Sequence, residues 1–168
     1  MSHPNADLIT RFYQAFQQLD AERMASCYAP DVSFSDPAFG TLTGDDAADM
    51  WRMLTTRAKQ FSLTFSDVQA DANGGSANWV ATYLFSQTGR TVVNRIQASF
   101  VIRDGLIVEH RDQFDMWRWS AQALGFQGML IGWTPLLKNT VRRQARNGLR
   151  QFQASRASDG QHGVEARS

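Results

Sequence analysis

Residues 32–40 read VSFSDPAFG. On an extended strand the side chains alternate between two faces, so Val32, Phe34 and Asp36 share one face while Ser33 and Ser35 take the other. Pro37 stops the strand, because it brings no N–H to a ladder. The apolar face of this strand therefore ends in a carboxylate. An acid withdrawn from water without a partner is costly and responds with a raised pKa. Two readings of Asp36 stay open here. It accepts backbone N–H bonds in the turn that follows, or it lines a cleft as an acid or base.

Upstream, Leu8, Ile9, Phe12, Phe16 and Leu19 recur at helical spacing and predict an amphipathic helix over 6–19. Asp20 is placed to cap a short second helix through Met24 and Cys27 that stops ahead of Pro30. Downstream, Thr43 with Asp46 three residues on resembles a helix start, and Ala47, Met50, Trp51, Leu54, Ala58 and Phe61 supply the apolar stripe. The period then changes to two over residues 62–71, 77–88, 91–103 and 106–114. Asn73-Gly74-Gly75, Thr88-Gly89 and Asp104-Gly105 punctuate these strands as hairpin turns. Helices first and strands later predict an α+β domain, with a mostly antiparallel sheet carrying helices on one face.

A further helix is expected from near Asp115, through Trp117 and Leu124, to Gly125. Thr134 and Pro135 open a last one, with Leu137, Val141, Ala145, Leu149 and Phe152 as its buried stripe and Gly148 weakening its end. The chain thus divides into a main domain over 1–127, a helical extension over 128–153 and a polar tail over 154–168 expected to be disordered. GMLIGW, residues 128–133, is expected to cover the mouth of a pocket or to join a homodimer interface.

The last strand, LIVEHRDQFD at 106–115, repeats the oddity of the first. Leu106, Val108 and Phe114 share a face with His110 and Asp112, while Ile107, Glu109, Arg111, Gln113 and Asp115 lie opposite. Asp112 either pairs with Arg95, Arg111 or His110, or lines a pocket beside Asp36. His110 is either a satisfied buried histidine or a partner of that acid.

The remaining chemistry is sparse. The 168 residues, 43% hydrophobic and 20% charged, suit one soluble domain. No apolar run is long enough to span a membrane, and MSHPNADL lacks the features of a secretory signal. The single Cys27 excludes an internal disulfide and a thiolate metal cluster and fits a cytoplasmic protein. His3, His110 and His162 are dispersed, and no glycine-rich phosphate loop occurs, so neither a metal nor a cofactor is expected. Residues 138–168 hold seven Lys and Arg against two acids. Arg142, Arg146 and Arg150, spaced by four, form a basic line that reads as a solvated helix face or as a docking face for an acidic partner. That helix has no interleaved aromatics, so specific nucleic-acid binding is not expected.

RFYQAFQQLDAERMASCYAPDVSFSDPAFGTLTG (residues 11–44) and FVIRDGLIVEHRDQFD (residues 100–115) together resemble the SnoaL-like proteins of the nuclear transport factor two superfamily, which also holds ketosteroid isomerases and limonene-type epoxide hydrolases. The resemblance spans about residues 6 to 125 and implies a curved sheet wrapped by helices into a cone around an apolar pocket. Asp36 matches the isomerases' proton-abstracting acid, while their donor tyrosine falls on Phe12, beside Tyr13, and their second donor on Ala98 or Gln97. Asp112 matches one acid of the hydrolases' arginine–aspartate–aspartate relay, whose other members fall near Ala81 and Tyr83. The tyrosine and asparagine that hold the hydrolases' water correspond to Phe34 and Asp36. The expectation is a pocket for a small apolar or ring-bearing molecule, with cyclase, isomerase or hydrolase-type acid–base chemistry as one reading and non-catalytic binding or assembly as the other. Asp36, Asp112, His110 and Tyr83 are the candidate catalytic residues. Phe12, Phe34, Trp51, Trp79 and Ala98 are the candidate ligand contacts.

Overall fold

A computed structural model describes residues 1–131 and 134–165. Pro4 opens α1 (Pro4–Gln17), where its missing N–H is no loss, and the His3 ring accepts the Asn5 N–H at 3.1 Å. Leu8, Ile9, Phe12, Tyr13 and Phe16 form its buried stripe. Asp20 caps α2 (Ala21–Ser26), its carboxylate accepting the Arg23 N–H at 3.1 Å.

The VSFSD strand is longer than its alternation shows: β1 runs Tyr28–Asp36 and includes Pro30. It turns at Pro37 into β2 (Gly40–Thr43), a strand absent from the sequence reading. β2 buries only Leu42, so it is too short to show a period. Thr43 accordingly belongs to a strand. The cap of α3 (Asp45–Arg57) is Gly44, at φ 55° and with no side-chain bond, and Asp45 and Asp46 favour the helix start by charge. Four strands follow: β3 (Ser62–Ala70), β4 (Gly74–Phe85), β5 (Arg90–Arg103) and β6 (Leu106–Gln113). The sheet order is β2-β1-β6-β5-β4-β3, antiparallel except where β1 meets β6. The fold is α+β, a curved six-stranded sheet with helices from both ends of the chain.

One break in regular alternation changes the reading of the last strand. The pairing between β5 and β6 slips between Val101 and Ile102, so that Ile102 faces Ile107 and Val101 faces Glu109. Val108 is the extra residue of a bulge. Ile107 therefore turns inward and is fully buried, together with His110 and Asp112, against the expectation that it faces away. The core is aromatic. Phe12, Tyr13, Phe16, Phe34, Trp51, Trp79 and Phe100 interlock with ring centroids 5.1–6.4 Å apart, each such pair worth about 0.5–1.5 kcal/mol beyond simple burial.

After β6, Asp115 caps α4 (Met116–Leu124) through the N–H groups of Trp117 and Arg118, and Gly125 ends it. α5 (Phe126–Ile131) leaves Phe126, Met129 and Leu130 exposed. Gly132 and Trp133, the end of the GMLIGW stretch, lie outside the described residues. The last helix, α6, is longer than expected and runs Pro135–Glu165, so residues 154–165 are helical and not a disordered tail; residues 166–168 lie outside the described residues. Gly148 does not end it. Beyond residue 152 the helix is tied to α3: the Gln153 amide donates to Asp46 and Asp49 at 2.8 and 3.1 Å, and Arg156 pairs with Asp49 at 2.8 Å. The basic line is likewise turned largely inward. Arg146 donates to the carbonyls of Phe39 and Thr41 at 2.8 and 3.0 Å, and Arg142 lies against Gly40. Two of the three aligned arginines thus clamp α6 onto the β1–β2 turn.

Candidate functional site

The inner side of the sheet, α3 and α6 enclose an open cavity of about 870 Å³. Trp79, Ala81 and Tyr83 of β4 give one wall, with Asn94 and Ile96 of β5 beside them. Met50, Trp51 and Met53 of α3 give another. Residues of α6 between Leu137 and Gln151, with Trp119 of α4, close the far side. Asp36 and Asp112 both line the cavity, carried on the neighbouring strands β1 and β6.

Asp36 holds the turn and borders the cavity at once. Its Oδ1 accepts the N–H of Phe39, fixing the turn after Pro37, and the carboxyl still borders the cavity. Burial pushes its pKa up from the ordinary carboxylate value to about 7, and the negative charge of Asp112 pushes the same way. The Phe39 N–H and the more distant Arg142 oppose the rise without cancelling it. Tyr83 feels the Asp36 charge in turn; its hydroxyl pKa is raised, chiefly by burial. The Tyr83 oxygen accepts the Trp119 indole N–H at 2.8 Å, which leaves its own proton free for donation.

Asp112 is held from behind. Its Oδ1 lies 2.8 Å from His110 Nε2 and receives a longer contact, 3.4 Å, from the Trp79 indole N–H. His110 Nδ1 lies 2.8 Å from the Tyr28 hydroxyl, which accepts the Trp51 indole N–H at 2.8 Å. One assignment satisfies every member: Tyr28 donates to Nδ1, and Nε2–H donates to the Asp112 carboxylate. The ring of His110 is fully buried between Phe12, Phe34, Trp51 and Phe100, with centroids 4.4–6.1 Å away. Burial lifts the Tyr28 hydroxyl pKa well above the ordinary tyrosine value, so it stays a donor.

The candidates from the sequence divide cleanly. Asp36, Asp112, Tyr83, Trp51 and Trp79 stand on the cavity wall. His110 reaches it through Asp112. Phe12 and Phe34 are fully buried around His110, and Ala98 is buried opposite Asp112 on β5; none of these three lines the cavity. Tyr13, beside Phe12, is buried too, and its hydroxyl has no hydrogen-bond partner among the described residues. Sequence reasoning missed Tyr28, Trp119 and the α6 wall. Tyr28 carried no signal, because it lies in a segment read as the end of a helix. Among the described residues, no three of His, Cys, Asp and Glu come together as a metal site, and no helix is long and apolar enough to cross a membrane.

Residues 9–110 match the family model of the SnoaL-like domain. No curated protein matches the chain. Among solved structures, the chain is similar to a candidate polyketide cyclase from Xanthomonas campestris pv. campestris (22% identity, TM-score 0.60), covering 71% of this chain and 96% of that one. It is similar to an epoxide hydrolase of the LEH-like type from M. tuberculosis (20% identity, TM-score 0.60, 80% and 95% covered). It is also similar to a protein of ketosteroid isomerase-like fold from Catenulispora acidiphila in complex with trimethylamine (16% identity, TM-score 0.63, 76% and 97% covered). Identities this low speak for the fold.

Proposed function

The chain belongs to the SnoaL-like domain family, and from that premise we propose that it binds a small ring-bearing molecule in the cavity and acts on it by acid–base chemistry of the cyclase or isomerase kind. The observation that carries this reading is Asp36, a carboxyl with a pKa near 7 on the wall of an aromatic cavity. A base of that strength is half deprotonated at neutral pH and strong enough to take a proton from carbon next to a carbonyl, a role worth about 10²–10⁴ in rate. In the step we assign, the C–H electron pair moves toward the carbonyl, whose oxygen becomes negative, and the proton passes to the Asp36 carboxylate. Tyr83 donates its O–H to that oxygen, with Trp119 holding the phenol in place. Asp112, seated on His110, keeps a negative charge near Asp36 and so raises its basicity.

Two further points support the reading. Asp36 stands where the resemblance puts the isomerases' base, and the names of two similar structures speak of ring-forming and epoxide chemistry. The hydrolases' relay is a poorer fit, because Ala81 and Tyr83 occupy the positions of its other members.

A substrate-independent test is the ring opening of 5-nitrobenzisoxazole, in which a base removes the ring C–H proton as the N–O bond breaks. Saturable turnover above buffer is expected, rising with pH through about 7 and then level, since Asp36 acts only when deprotonated. No turnover above buffer, or a midpoint near the ordinary carboxylate value, would overturn the assignment.

A further inference from the structure

The charged groups on the cavity lining fall into two sets. Asp36 and Asp112 lie on the inner wall, half-buried and buried, while Arg57 and Lys59 are exposed on the rim. Neither of these cations takes part in an ion pair among the described residues; those pairs involve Arg52, Arg111, Arg118, Arg156 and His110. Arg57 is the last residue of α3, and its guanidinium lies over the Phe152 ring, 5.9 Å from the centroid. Its Nη1 comes within 3.6 Å of where a side chain on Gly148 would begin, so it stands directly against α6.

From that helix Gln144, Asn147 and Gln151, spaced by three and four, line the same side of the cavity. Their side-chain amides make no hydrogen bond among the described residues. The contrast with Gln153 and Gln122 is direct, because those amides are spent on Asp46, Asp49 and the backbone of β5 and α4. The rim therefore offers two uncompensated positive charges and three free amides, with no acid among them. A bare aromatic ligand would use none of this.

We propose that the ligand carries an anionic substituent, a carboxylate or a group of like geometry, held at the rim by Arg57, Lys59 and the α6 amides while its ring lies inward toward Asp36. The inference rests on the reading of the cavity as a ligand site. A planar guanidinium takes a carboxylate with two parallel bonds, and the neighbouring ammonium adds a second charge. A cationic ligand group is repelled at this rim. Specificity for the charged end then comes from α6 and from the end of α3, beyond the strand residues that carry the proposed chemistry.

Two fluorescent probes of one aromatic body separate the outcomes: 8-anilino-1-naphthalenesulfonate, which is anionic, and N-phenyl-1-naphthylamine, which lacks the sulfonate. The wild-type protein is expected to bind the sulfonate about tenfold more tightly, with the preference shrinking as salt is raised. In Arg57→Gln/Lys59→Gln that preference disappears, while affinity for the neutral probe stays the same; an unchanged circular dichroism spectrum and melting temperature show that the variant is folded. Equal binding of both probes by the wild type, or a preference that survives the double substitution, overturns the anionic rim and leaves the cavity reading standing. Binding of neither probe removes both readings together.

Discussion

Asp36→Asn is expected to abolish base turnover and, in the same molecule, to make the fold more stable at pH 8. Asparagine keeps the oxygen that accepts the Phe39 N–H, so the turn survives the change. It removes a charge that the cavity disfavours. The folded Asp36 has its pKa raised from 3.8 to about 7. A raised acid holds its proton more tightly in the folded state than in the unfolded one. Its contribution to stability is therefore complete below about pH 4 and is lost as pH rises to about 7. A shift of this size corresponds to about 4 kcal/mol as an upper bound. The charge-assisted bond that the variant weakens and the relaxation of the half-open site bring the expected gain to about 2 kcal/mol. Urea unfolding of both proteins at pH 4 and pH 8 measures this, since carboxylates common to the pair cancel in the difference. The gap should be near zero at pH 4 and favour the variant at pH 8. A variant no more stable at pH 8 than the wild type would mean that Asp36 is not strained by its surroundings. Turnover of 5-nitrobenzisoxazole should fall by about 10²-fold or more.

The second large effect lies behind the cavity. His110→Phe is expected to cost about 3–5 kcal/mol, which lowers the melting temperature by about 10 °C in a chain of this size. The pocket around this ring is made of Phe12, Phe34, Trp51 and Phe100, so a phenyl ring fits by shape and the loss is electrostatic. Asp112 would keep one weak contact, 3.4 Å from the Trp79 N–H, and would stay 4% exposed. Tyr28 would lose the acceptor for its proton. The double variant His110→Phe/Asp112→Leu replaces the whole pair with apolar groups and should recover most of the loss. Losses that simply add in the double variant would show that the two side chains are not coupled, and that Asp112 is stabilised by other means.

Much of this was legible in the sequence. The alternation in VSFSD and in the last strand put Asp36 and Asp112 among apolar neighbours, and the order of helices and strands, with the resemblance to SnoaL-like proteins, indicated the fold. What was hidden has physical reasons. The bulge at Val108 breaks the period of two, so Ile107 was placed on the wrong face. Phe12 and Phe34 have the composition of pocket lining, but a buried histidine claims them, and composition does not distinguish a ring packed on imidazole from one facing a ligand. The final helix persists past its apolar stripe because Gln153 and Arg156 reach acids on α3, contacts between residues more than a hundred positions apart. The basic line on that helix reads from the sequence as a solvated face or a docking face, yet Arg146 is spent on the carbonyls of the β1–β2 turn.

Because it borders an apolar hollow, the Asp36 carboxyl is expected to titrate well above the ordinary carboxylate range. The direct measurement follows the side-chain carboxyl resonances of protein labelled with ¹³C at aspartate through a pH titration, with Asp36→Asn used to assign the signal. One resonance, missing from the variant, should move with a midpoint near pH 7. A midpoint near pH 4 for that resonance would contradict the account, since Asp36 would then be an ordinary solvated acid and no base for the cavity.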